Sequence, residues 1–329
     1  MKTGEVWAIG VDLGGTKTEV AQIGVSGSMG ERLRHPTPVK DGPQAVRKEI
    51  VAAVKNLREK AASPPVGVGV GLAGQIDSEH GMVRFAPNLG WHNVSFQSDL
   101  AGALGLPVVV TNDVRAATWG EWLHGAGQGC DDLVCLFIGT GVGGGVVSGG
   151  KMLSGCSNTT GEVGHMIIDL HGPSCSCGSQ GCFEALAGGW AIARQAREAV
   201  AADRSLGASL LKIAGKPDAI TAEMVAEAAR TDDPLARRII DEVVQALIAG
   251  CVSLVNAFNP CRLILGGGVM EGSPELVHRI DQGVRRQALP AATQSLHILP
   301  AQLKNDAGVI GAAVLAMRLF SSKEGFRNV

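Results

Sequence analysis

The stretch Val6-Trp7-Ala8-Ile9-Gly10-Val11-Asp12-Leu13-Gly14-Gly15-Thr16-Lys17, followed by alternation from Thr18 to Val25, decides the fold. An apolar run, a glycine-rich turn and a second run of period two read as a β-hairpin. The same plan returns at Leu133 to Ile138, Gly139-Thr140-Gly141-Val142-Gly143-Gly144-Gly145 and Val146-Val147. Around these hairpins, strands alternate with helical patterns. Residues 43–60 carry helical spacing and stop before Pro64-Pro65, and Val66 to Val70 reads as a buried strand. Pro107 to Val110 reads as another strand, and Val114 to Leu123 as a helix with Asp113 placed to cap it. A long helix is expected from about Asp233 to Phe258, a strand from Arg262 to Leu265, and a final apolar helix from Gly308 to Phe320. Alternation with two hairpins predicts an α/β protein of mixed sheets flanked by helices in two lobes.

The expected division is a small N-terminal lobe over residues 1–115, completed by the helix 308–320, and a large lobe over 116–307. The chain has 329 residues, 45% of them hydrophobic, and a formal net charge of −2. That size supports one large core or two ordinary ones. The balanced charge gives no electrostatic reason to expect a nucleic acid or an anionic membrane as partner. No signal-like segment and no membrane-spanning stretch are read from the sequence, so a cytoplasmic protein is expected. Its eight cysteines are then expected to be thiols or metal ligands rather than disulfides.

Four segments carry chemistry. In Asp12-Leu13-Gly14-Gly15-Thr16-Lys17, paired glycines can turn backbone N–H groups onto a phosphate oxygen, and Thr16 adds a hydroxyl donor. Asp12 at a strand end suits a water-mediated contact to Mg²⁺. An ordinary hairpin turn would look similar. The second loop, with Gly139, Thr140, Gly141 and Gly143, matches the dinucleotide fingerprint, with Glu162 roughly 20 residues further on. A fingerprint loop should open a helix, whereas Val146-Val147 continues as strand. Two strand–glycine–strand loops look more like a pair of clamps on one polyphosphate.

The third segment is Asn112-Asp113, a strand end and helix start where α/β sheets place ligands. Asp113 could equally be a helix cap. The fourth is Gly161-Glu162-Val163-Gly164-His165 with Cys175-Ser176-Cys177-Gly178-Ser179-Gln180-Gly181-Cys182-Phe183-Glu184. Three close cysteines and a histidine make four soft ligands, enough for a closed zinc site. Spacing does not choose between His165 and His171. The other cysteines, Cys130, Cys135, Cys156, Cys251 and Cys261, read as small buried hydrophobes. Asn88-Leu89-Gly90-Trp91 reads either as a sugar-contacting loop or as a turn.

As an ordered set, these segments resemble the ROK family of sugar kinases (repressors, open reading frames, kinases). The similarity runs on to Asn259-Pro260, Gly266-Gly267-Gly268 and the last helix. The resemblance implies an actin-like (ribonuclease H-like) fold of two lobes with the active site in the cleft. It implies ATP-dependent phosphorylation of a hexose, glucose first, at O6. It makes Asp113 the catalytic base and makes Asn88, Asn112, Glu162, His165 and Glu184 sugar ligands alongside it. It assigns His165, Cys175, Cys177 and Cys182 to structural Zn²⁺, in preference to His171. It also assigns Gly14–Thr16 and Gly139–Gly144 to the phosphates, Gly266, Gly267 and Gly268 to adenosine, and catalytic Mg²⁺ to the ATP. The implied partners are the sugar and ATP, with a homodimer as the assembly. Thr111 departs from the Glu that many members carry before Asn-Asp.

N-acetylglucosamine, N-acetylmannosamine or fructose as acceptor stands beside glucose. From other classes stand a nicotinamide oxidoreductase, a DNA-binding sugar sensor and a non-catalytic sugar-binding module. Because the first loop begins at residue 12, no DNA-binding domain is expected ahead of it.

Overall fold

A computed structural model describes residues 5–77, 80–203 and 205–321. In chain order the elements are β1 (Trp7–Leu13), β2 (Lys17–Gly24), β3 (Met29–Pro36), α1 (Gly42–Glu59), β4 (Val68–Leu72), β5 (Gln75–Ile76), β6 (Val83–Ala86), β7 (Trp91–Val94), α2 (Phe96–Leu104), β8 (Val108–Asn112) and α3 (Asp113–His124). Then come β9 (Leu133–Ile138), β10 (Val142–Ser148), β11 (Lys151–Met152), α4 (Phe183–Ala187), α5 (Gly189–Ala202), α6 (Ala208–Ala214), α7 (Ala222–Arg230) and α8 (Pro234–Phe258). The series closes with β12 (Arg262–Gly266), α9 (Gly268–Gly272), α10 (Glu275–Gln287), α11 (Pro290–Thr293), β13 (His297–Pro300) and α12 (Ala307–Phe320).

The chain forms two compact units, one of Met1–Asp131, Gly145–Gly161 and Asn305–Val329, the other of Asp132–Gly144 and Glu162–Lys304. Helix α3 therefore lies wholly in the first unit, and the chain returns to that unit midway through β10.

The first unit is built on a sheet of order β3-β2-β1-β4-β8, antiparallel at β1–β2–β3 and parallel at β1–β4–β8. A small antiparallel sheet, β5-β6-β7, falls between β4 and α2, where the sequence pattern predicts no hairpin. The strands bury Trp7, Ile9, Val11, Val68 and Val70 completely. Helix α12 lies against β1, β4 and α3. Glycine makes that approach possible: a Cβ built at Gly10 would sit 1.9 Å from the Val309 carbonyl oxygen, and one at Gly69 would sit 1.8 Å from that of Ala312. Two strand residues with no side chain thus let α12 seat on this sheet.

The second sheet has the order β11-β10-β9-β12-β13, with β9, β12 and β13 parallel. Helix α8 packs on α4, α5, α7 and α10. Asp233 caps its start by accepting from the Ala236 N–H at 2.9 Å, and Asn259 ends it at φ 45°. By length and apolar content α8 could cross a bilayer, against the sequence reading. Its apolar stripe, including Leu235, Ile239, Val243, Leu247 and Leu254, is instead buried in protein.

Three further readings change. The second glycine run is only partly a loop, because β10 already begins at Val142, which leaves Gly139-Thr140-Gly141 as the turn. The cap of α3 is Asn112, not Asp113. Among the scattered cysteines, Cys130 and Cys261 are disulfide-bonded and Cys156 is exposed, while Cys135 and Cys251 are buried thiols as expected.

Candidate active site

In the first unit, the parallel pairing of β1, β4 and β8 brings their C-terminal ends level: Asp12 pairs with Gly71, and Asn112 with Leu72. Asp12 and Asp113 therefore emerge at one edge of the sheet. Burial, then the negative charges of Asp113 and Glu19, pushes the Asp12 carboxyl up to about 6, with Lys17 pulling the other way. Burial also raises Asp113, against the pull of the Val114 amide and its own. Asn112 accepts from the Val114 and Arg115 N–H groups at 2.9 and 3.1 Å and donates to the Gly74 carbonyl at 3.3 Å. The cap is thus made by the neighbour of the carboxylate. Asp113 Oδ1 shares the Val114 N–H, at 2.9 Å, and the side chain stays partly open to solvent.

The turn at Gly14–Thr16 is held from behind. Thr37 donates its hydroxyl to the Gly14 carbonyl at 2.7 Å and its N–H to the Thr16 carbonyl at 3.0 Å, and its oxygen lies 2.8 Å from that of Thr18. Tying carbonyls back suits an anion cradle, because an outward carbonyl oxygen would repel phosphate. A Cβ at Gly15 would fall 2.7 Å from the Asn88 carbonyl oxygen, so Asn88, exposed on a 3₁₀ turn, sits directly beside this loop. Lys17 is exposed at the start of β2.

In the second unit, several segments meet at Val142. Its N–H donates to Glu184 Oε2 at 2.9 Å. A Cβ at Gly164 would lie 2.0 Å from its carbonyl oxygen, which seats the Glu162–His165 turn against the start of β10. The turn Gly139–Gly141 closes on itself through Gly139 N–H to Gly141 O at 2.9 Å. Gly267, at φ 90°, packs on the backbone of Ile138, which brings Gly266–Gly268 beside this turn. The strand after Gly141 continues as β10, so the helix that a dinucleotide fingerprint needs is not formed there.

His165, Cys175, Cys177 and Cys182 place one ligand atom each within 4.8 Å of one another. His165 Nδ1 lies 3.8 Å from Cys175 Sγ, and Cys177 Sγ lies 3.6 Å from Cys182 Sγ. A zinc–sulfur bond of about 2.3 Å sets tetrahedral sulfur–sulfur edges of roughly 3.8 Å, so this donor set fits a four-coordinate soft cation. His171 lies outside the cluster, its N–H bonded to Asp169 at 3.0 Å. The Ser179 backbone amide draws the Cys177 thiol down to about 7, while burial pushes Cys182 up to about 12.

Thr37 and the segment Gly188-Gly189-Trp190 have no place in the sequence reading, and neither does Arg115. The buried Arg115 guanidinium donates to the carbonyls of Leu153 and Thr160 at 2.8 and 3.3 Å and to Ser154 Oγ at 3.0 Å, fixing the approach to Gly161. The glycine pair before Trp190 was the one available signal. A separate hollow on the exposed face of α8, lined by Asp232, Pro234, Arg237, Arg238, Asp241, Glu242 and Gln245, holds none of these groups.

Residues 8–318 match the ROK family. A glucokinase of Thermotoga maritima is 37% identical over 306 residues, covering 93% of this chain and 95% of its own. An N-acetylmannosamine kinase of Escherichia fergusonii is 33% identical over 310 residues, covering 94% and 97%. Among solved structures, a ROK family glucokinase from Streptomyces griseus in complex with glucose and AMPPNP matches with a TM-score of 0.81 at 36% identity, covering 95% of this chain and 99% of that one.

Proposed function

This chain belongs to the ROK family, and we propose that it phosphorylates a hexose with ATP, with glucose as acceptor and O6 as the accepting oxygen. The observation that carries this reading is Asp113. It is a carboxylate at the edge of a parallel sheet, released from capping by Asn112, raised by burial and still partly open to solvent. Such a group suits a general base, which needs a pKa lifted toward the working pH. We assign it the proton of the attacking hydroxyl.

Phosphoryl transfer asks mostly for positioning and charge neutralisation. We assign Gly14, Gly15, Thr16, Gly139, Thr140, Gly141 and Gly143 to the phosphates and Gly266–Gly268 to adenosine. Asp12 would hold Mg²⁺ through its waters, and the ion would supply positive charge to the phosphates. Asn88, Asn112, Glu162, His165 and Glu184 are our sugar ligands. Asn112 brings one remaining amide N–H, since its oxygen and other N–H are engaged in the cap and at Gly74. His165, Cys175, Cys177 and Cys182 would hold Zn²⁺, which would order the loop between Glu162 and Glu184. His165 Nδ1 faces the cysteines, so Nε2 is the nitrogen we assign to a sugar hydroxyl. We place the protein in the cytoplasm, as a homodimer without nucleic-acid or membrane partners.

The N-acetylmannosamine kinase match, at similar coverage, favours an N-acetylhexosamine as the second acceptor to try. A coupled assay of ADP release over glucose, fructose, mannose, N-acetylglucosamine and N-acetylmannosamine tests both. Glucose should give the highest kcat/KM. Higher turnover of an N-acetylhexosamine would reassign the acceptor, and sugar binding without ADP release from any of them would leave a non-catalytic sensor.

A further inference from the structure

The turn Gly139–Gly141 is braced by a segment outside any assigned role, the α4–α5 junction. Gly189 donates its N–H to the Gly139 carbonyl at 2.9 Å, and Trp190 donates its own to the Thr140 carbonyl at 3.0 Å. Glu184 completes the brace from α4. Its Oε2 accepts the Val142 N–H at 2.9 Å, and its Oε1 accepts the Trp190 indole N–H at 3.1 Å. The fit is tight: a Cβ at Gly189 would fall 2.7 Å from the Gly139 oxygen, and one at Gly141 2.2 Å from Glu184 Oε2. Glu184 also follows Cys182 by two residues, so the cysteine-rich segment and the glycine turn share one rigid anchor.

We infer that the Glu184–Trp190 pair is a positioning device for nucleotide binding, setting the conformation of the Gly139–Gly141 turn whether or not sugar is present. This rests on the kinase reading and adds to it a second role for Glu184. Both side-chain oxygens of Glu184 meet N–H donors. Only a carboxylate offers two acceptors there, since a glutamine would set its own NH₂ against one of those donors. Trp190 is the side chain that aims the carboxylate.

The test is titration of sugar-free protein with the non-hydrolysable ATP analogue AMPPNP and Mg²⁺, comparing wild type with Glu184→Gln and Trp190→Phe. Both variants should bind the analogue on the order of tenfold more weakly, the usual scale for losing a hydrogen bond to a charged group. Trp190→Phe keeps the carboxylate and removes only the indole N–H that aims it. The sign discriminates. If Glu184 were only a negative charge near phosphate, or only a sugar ligand, Glu184→Gln would bind the analogue as tightly as wild type or more tightly. Equal affinity in Trp190→Phe overturns the inference and leaves the kinase reading intact. Failure of the wild type to bind the analogue overturns both. A change of indole emission in Glu184→Gln that is absent when Trp190→Phe is the background gives a second, activity-independent readout, and Trp190→Phe carries the test should Glu184→Gln fail to fold.

Discussion

At the scale of single residues, the chemistry depends on which of two neighbours caps a helix. Asn112 takes the Arg115 amide and shares that of Val114 with Asp113, so the carboxylate of Asp113 is only partly engaged by the helix start. Asp113→Asn is expected to lower kcat by about 10²–10⁴-fold while glucose binding survives, the usual range for removing a general base. Because burial raises Asp113, the acid limb of the wild-type pH–rate profile should lie above the ordinary aspartate value, and steady-state kinetics over pH would show it. Asp12 makes the complementary case. Its carboxyl at about 6 is raised, so the stability it contributes is full below the unfolded value near 3.8 and is lost as pH climbs through 6. Asp12→Asn should therefore stabilise the ligand-free protein at pH 7 by on the order of 1–2 kcal/mol, discounted for partial solvent exposure, while impairing turnover. Thermal melting at pH 5 and pH 7 checks it: the gain should shrink at the lower pH.

At the scale of elements, the decisive contacts are backbone against backbone. Helix α12 approaches β4 so closely that Gly69→Ala would drive a methyl into the Ala312 carbonyl. A loss of at least about 1–3 kcal/mol is expected in urea unfolding. Gly102, in α2 with nothing near its missing Cβ, is the control, and Gly102→Ala should gain about 0.5–1 kcal/mol through helix propensity alone. The cysteine-rich segment has little regular structure to hold it, only isolated bridges such as Ile167 to Cys182 and Ser174 to Gln180. Metal analysis should find one zinc per chain. Its removal by chelation should lower the melting temperature and weaken glucose binding, and Cys177→Ser should reproduce both effects.

At the scale of the whole molecule, each unit is assembled from distant pieces of chain, the first from three segments that end with α12. A chain ended at Lys304 keeps every strand of the β1–β4–β8 sheet but lacks the helix that covers β1 and β4. It should fail to fold, with loss of near-ultraviolet circular dichroism; a folded truncated chain would show that α12 is dispensable. What the sequence by itself determined is the local chemistry: hairpins flanking glycine turns, a carboxylate after a parallel strand, four soft ligands in one irregular stretch. Those features are legible because turn conformation, strand period and ligand softness belong to residues a few positions apart. Tertiary structure alone decided that Asn112 rather than Asp113 caps α3, that Thr37 ties back the first turn, and that Gly188–Trp190 and Glu184 brace the second. These pairings join residues tens of positions apart or turn on competition for one amide. A backbone donor takes whichever acceptor the folded chain brings within about 3 Å, and no local pattern records that choice.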